Sequence, residues 1–145
     1  MKWAALIAWV LTAGGGFVLL TIWLARGGMQ QGREGGSRIR PPLILRHFLL
    51  AASGLVVWIV YLVKDKDVLA WIAFAILAVV ALLGWTMFAI WYQRRQRGAV
   101  EGAAMGAGGG PAEQHFPVPI VALHGALAVT TVVLVFLTAI GVGGS

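Results

Sequence analysis

The sequence contains no cysteine. Disulfide frameworks, thiolate-bound zinc or iron–sulfur sites and cysteine nucleophiles are therefore excluded. Charge is also scarce. Asp, Glu, Lys and Arg make up 11% of the 145 residues, where soluble domains carry about 25%. Only five residues are acidic, and none falls inside a long apolar run. A proton pump or a carboxylate-driven transporter lacks its usual parts in such spans. What the chain does have is apolar bulk: 60% of its residues are hydrophobic. A water-soluble globule and a disordered tail are both excluded by that content.

The formal net charge is +6. The positive residues sit between apolar runs without interleaved aromatics, so lipid headgroups and topology account for them and nucleic acid is not expected. Arg outnumbers Lys 8 to 3, and Ala, Gly and Val abound. That composition suits a high-GC bacterial genome, and the bacterial inner membrane is the expected location.

Crossing the hydrocarbon takes about 20 mostly apolar residues in a helix. Residues 3–25, 43–63, 68–92 and 118–142 meet this requirement. Backbone groups in lipid must pair internally, and period-2 alternation is missing, so the spans are expected to be helices. The fold class is all-α: one domain over 1–145, an up-down bundle of four transmembrane helices. The first run outlasts a signal-peptide core and reads as a retained helix. Its triplet Gly14–Gly16 reads as a close-packing surface. The loops 26–42 and 93–117 are Arg-rich, which places them in the cytoplasm and both termini outside. Trp3, Trp23, Trp58, Tyr61, Trp71, Trp91 and Tyr92 read as interfacial anchors, with Trp9 and Trp85 as packing residues. The Gly- and Ala-rich piece over 98–110 reads as a flexible cytoplasmic tether. No internal repeat stands out beyond the proline-led starts of spans two and four.

Three ionisable residues fall within spans: Arg46, His47 and His124. Both histidine-bearing spans start from the Arg-rich side. The histidines lie four residues past Leu43 and five past Pro119, so at 1.5 Å per residue their depths are roughly 6 and 7.5 Å. Spans two and four are diagonal in an up-down bundle, roughly 11–14 Å between axes. Two imidazoles at one level across that gap suit the axial positions of an iron porphyrin. The face from His47 runs through Ala51, Gly54 and Trp58 and that from His124 through Ala128, Thr131 and Val135, with small residues one and two turns away. Arg46 and Arg40 are candidate partners for haem propionates.

These four spans and two histidines resemble the transmembrane b-type cytochromes, such as the cytochrome b561 family and the membrane anchors of succinate dehydrogenase. The resemblance implies bis-histidine haem b, with His47 and His124 as the iron ligands. It implies electron transfer with a quinone or a redox protein, or sensing. A second histidine pair near the opposite face, which that family carries, has no counterpart here. One haem near the cytoplasmic face is therefore expected.

Other readings stay open. His47 could face headgroups beside a snorkelling Arg46, and His124 could hydrogen-bond a neighbouring helix. His115, in a polar loop, could be solvated or could join the other two in a non-haem metal site. Without a cofactor the chain would be a membrane scaffold or accessory subunit acting through protein partners, in an oligomer or complex. Thr12, Thr21, Thr86, Thr130, Thr131 and Thr138 are expected to pack between helices or to bond back to their own helices. No nucleophile–base–acid constellation is visible. The chain is expected to be no enzyme on its own, at most a redox subunit.

Overall fold

The computed structural model describes residues 1–101 and 111–142, with side chains over 1–98 and 111–142. The described residues form five α-helices and one short 3-10 helix, with no strand among them. The helices are α1 (Lys2–Ala25), α2 (Gly28–Glu34), α3 (Pro41–Lys64), α4 (Asp67–Glu101) and α5 (Val118–Ala139). The 3-10 helix covers Ala112–His115. α1, α3, α4 and α5 are each long and apolar enough to cross a membrane. The fold is the expected all-α bundle.

Several boundaries differ from the expected ones. The connector over 26–42 holds the short helix α2, tucked onto the bundle end. Gly28 lies directly against the Trp23 ring and Gly32 against the Pro41 ring, approaches that any side chain would block. α4 continues past Tyr92 to Glu101, because residues 93–97 are good helix formers and no proline follows before Pro111. α5 stops at Ala139, before Gly141 takes φ +83°. The expected tether over 98–110 lies outside the described residues, apart from its first part, which is helical.

At one end, Lys2 Nζ meets Asp65 Oδ1 at 2.8 Å, tying the start of α1 to the turn between α3 and α4. α2, the 3-10 helix and the Arg-rich segments gather at the other end. α1 packs chiefly on α5, and α3 on α4. α4 and α5 join the two pairs, α1 and α3 meet more loosely, and α3 and α5 face each other diagonally without packing.

The core includes Ala5, Trp9, Trp58, Tyr61, Ala73, Leu77, Val80 and Val135. Trp58 is fully buried, and its Nε1–H donates to the Lys2 carbonyl at 3.3 Å. Trp58 and Tyr61 are thus core residues and not interfacial anchors, and Trp23 and Trp91, read as anchors too, are likewise buried. Trp85, expected to pack, is 70% exposed. The outer surface carries many large apolar side chains, as lipid contact requires and water would not. All six span threonines bond back to the carbonyl four residues earlier, as expected.

The bundle also carries a repeat. Trp3, Ala5, Gly16, Trp23 and Arg26 on α1 recur at equal spacing as Trp71, Ala73, Gly84, Trp91 and Arg94 on α4. Pro42, His47, Leu50 and Ala51 on α3 recur as Pro119, His124, Leu127 and Ala128 on α5. The environments recur too. Ala5 and Ala73 are fully buried, Trp23 and Trp91 are buried, and Trp3 and Trp71 are exposed. The pattern pairs α1 with α4 and α3 with α5, so the chain reads as two similar helical hairpins. Each hairpin's first helix packs on the other hairpin's second.

Candidate functional site

His47 and His124 are each the seventh residue of a helix that opens on proline-containing sequence. A fixed pyrrolidine φ suits the first turn, and the equal count from that turn sets equal depth. The inward faces are those expected. Gly54 and Trp58 follow His47 on the buried side, and Thr131 and Val135 follow His124.

The two imidazoles meet across the bundle, 6.4 Å between ring centroids and 64° between planes. Each belongs to a different helix pair, and each is tied to the partner helix within its pair. His47 Nδ1–H donates to the Val80 carbonyl on α4 at 3.1 Å. His124 Nδ1–H donates to the Thr12 carbonyl on α1 at 2.9 Å. A carbonyl can only accept, so Nδ1 carries the proton, and in the neutral ring Nε2 carries the lone pair. Nε2 has no hydrogen-bond partner among the described residues in either ring.

The two seats are built alike. Four residues beyond each accepting carbonyl stands a glycine: Gly16 after Thr12, Gly84 after Val80. A Cβ on Gly16 would lie 3.0 Å from His124 Cε1, and one on Gly84 would lie 3.1 Å from His47 Cε1. In a helix the residue four along already donates to that carbonyl. The imidazole uses the second lone pair, and glycine clears its approach. Thr12 is bonded further, its Oγ1 lying 3.0 Å from Thr131 Oγ1 on α5.

Seven residues beyond each glycine, on the same helical face, lies a buried tryptophan: Trp23 on α1 and Trp91 on α4. Neither indole Nε1–H has an acceptor among the described residues. The Trp23 ring packs against Gly28 of α2. Buried donors without acceptors carry a cost of about 1–3 kcal/mol unless a ligand supplies the acceptor.

The remaining candidates divide. Arg40 is exposed at the start of α3 and lines a cleft of about 890 Å³ with Arg33, Arg38, Pro41, Leu45 and Ile90. Arg46 is exposed and does not line that cleft. His115 is exposed on the 3-10 helix and does not join the pair. Among the described residues, no group of three or more His, Cys, Asp or Glu is placed to hold a metal ion, so a three-histidine site is not formed. The carbonyls of Thr12 and Val80, the two seat glycines and the two indoles escaped sequence reasoning. The signal was there in the repeated glycine-to-tryptophan spacing. No family model matches the chain, nor does any curated protein or solved structure.

Proposed function

We propose that the chain is a small membrane protein that binds one b-type haem between α3 and α5, and that His47 and His124 would hold its iron. The observation that carries this reading is the imidazole pair, 6.4 Å apart with both Nδ1–H groups committed to helix carbonyls. Metal-binding histidines almost always donate their other N–H to a carbonyl or carboxylate.

The chain's own residues have defined parts in this reading. The Val80 and Thr12 carbonyls select the tautomer that leaves Nε2 free. Gly16 and Gly84 let each ring reach its carbonyl. The apolar bundle around the pair excludes water. Trp23 and Trp91 offer indole N–H groups, and Arg40 and Arg46 offer guanidinium groups, to the two propionate carboxylates. When bound, the haem supplies a one-electron carrier, suited to exchange with a quinone or a redox protein or to sensing.

The Arg-rich end is assigned to the cytoplasm of a bacterial inner membrane, with both termini outside, on the positive-inside rule. A reporter fused after Ser145 tests this, and cytoplasmic activity there would reverse the topology.

The haem test is spectroscopic. Protein expressed with haem supply and purified in mild detergent should show a Soret band and, once reduced, a sharp α-band. No band at full loading would overturn the proposal.

A second reading has one observation in its favour. Each imidazole already clips two helices together, which is work enough for a cofactor-free scaffold or accessory subunit. The substitution that separates the two readings is given in the Discussion.

A further inference from the structure

A second site lies at the Arg-rich end, apart from the histidine pair. Arg38, Arg94, Arg97, Gly98 and Gln114 enclose a cavity of about 120 Å³. Its walls come from three separate segments: the connector before α3, the last turns of α4, and the 3-10 helix. Arg94 Nε is buried and has no acceptor among the described residues. Gly98 has no side chain to fill the floor, and Gln114 Nε2 lies 3.1 Å from where its Cβ would be.

The walls are held by a buried carboxylate. Glu113 is fully buried and accepts Ser37 Oγ–H at 2.7 Å and the Arg38 backbone N–H at 3.2 Å. It is the one acid beside the cavity among the described side chains, and it does not line the space. Three arginines therefore line one cavity, with one committed negative charge beside it among the described side chains. That imbalance calls for an anion.

Size and level narrow the anion. The cavity, about 120 Å³, has room for a phosphate group. Arg94 stands two residues after the exposed Tyr92, where the apolar run of α4 closes. Aromatic residues at that place mark the headgroup layer. Basic pockets at this level suit lipid phosphates, and the guanidinium fork suits their oxygens.

We infer that Arg38, Arg94, Arg97 and Gln114 form a binding site for the headgroup phosphate of an anionic phospholipid. The inference is independent of the haem proposal, since it uses none of the residues assigned to haem.

Native mass spectrometry of the full chain in non-ionic detergent tests it, with phosphatidylglycerol, phosphatidylcholine and inorganic phosphate as probes. Wild-type protein should retain phosphatidylglycerol over phosphatidylcholine. Arg94→Gln combined with Arg97→Gln should lower that retention about tenfold, the scale of lost charge-assisted bonds. Arg97→Gln alone changes an exposed side chain and should lower it severalfold, which keeps the test valid if the double variant misfolds. Arg33→Gln removes a charge at the same end but outside this cavity, and should leave retention unchanged. Equal retention of the two lipids, or undiminished retention in the Arg97 variant, would overturn the site. Loss of equal size in the Arg33 variant would assign the effect to diffuse surface charge and overturn it too. Displacement of the lipid by millimolar inorganic phosphate would overturn the lipid assignment and give the pocket to a soluble phosphate.

Discussion

Gly84 lies directly beneath the His47 imidazole, with the place of its missing Cβ 3.1 Å from the ring's Cε1. Gly16 stands in the same relation to His124 at 3.0 Å. Each glycine follows the accepting carbonyl by four residues, so one local device seats both rings.

Gly84→Val should push the His47 ring off its seat and break the bond to Val80. Overpacking of this kind costs about 1–3 kcal/mol. Thermal unfolding in detergent should show a lower Tm, and any low-spin haem signal should fall with it. Gly14→Val is the control, because no atom lies within 4 Å of that Cβ position.

Replacing His47 or His124 by Asn separates the two functional readings. The Asn amide N–H occupies the place of Nδ1–H and can donate to the same carbonyl, but Asn offers no imidazole nitrogen to iron. On the haem proposal each variant keeps near-normal thermal stability without haem and loses the reduced α-band. Full retention of low-spin haem in both variants would move the ligands elsewhere.

Trp58 and Trp85 should respond in opposite ways. Trp58→Ala empties a fully buried site and removes the bond to the Lys2 carbonyl. In lipid the loss is one of packing more than of transfer from water, so the cost is on the order of 2 kcal/mol. Trp85→Ala, on the exposed lipid face, should leave the Tm within about 1 °C, as surface changes usually do. Thermal unfolding in one detergent compares them directly.

Glu113→Ala should loosen the Arg-rich end without disturbing the histidine pair. It leaves Ser37 Oγ and the Arg38 N–H without their carboxylate acceptor, a cost of about 1–3 kcal/mol for groups kept from water. Limited proteolysis within residues 26–42 should speed up. An unchanged cleavage rate would show that the latch does not hold that segment.

Four spans, their helical form and the matched depth of His47 and His124 were legible in the sequence. Each follows from a one-dimensional quantity: apolar run length against bilayer thickness, backbone pairing in lipid, and a fixed rise per residue. The back-bonded threonines were legible for the same reason, since their partners are four residues away. The tertiary structure alone decided that α1 packs on α5 and α3 on α4, and that the two imidazoles face each other. It also decided that Trp58 turns inward and Trp85 outward. These outcomes depend on how each helix is rotated about its axis. A water-soluble helix announces its rotation through a polar face. A helix between lipid and an apolar core has apolar residues on both sides, so close packing and the few buried hydrogen bonds choose the angle. Here the choice rests on Gly16, Gly84, Trp58 and the two histidine bonds to carbonyls, whose partners are distant in the sequence.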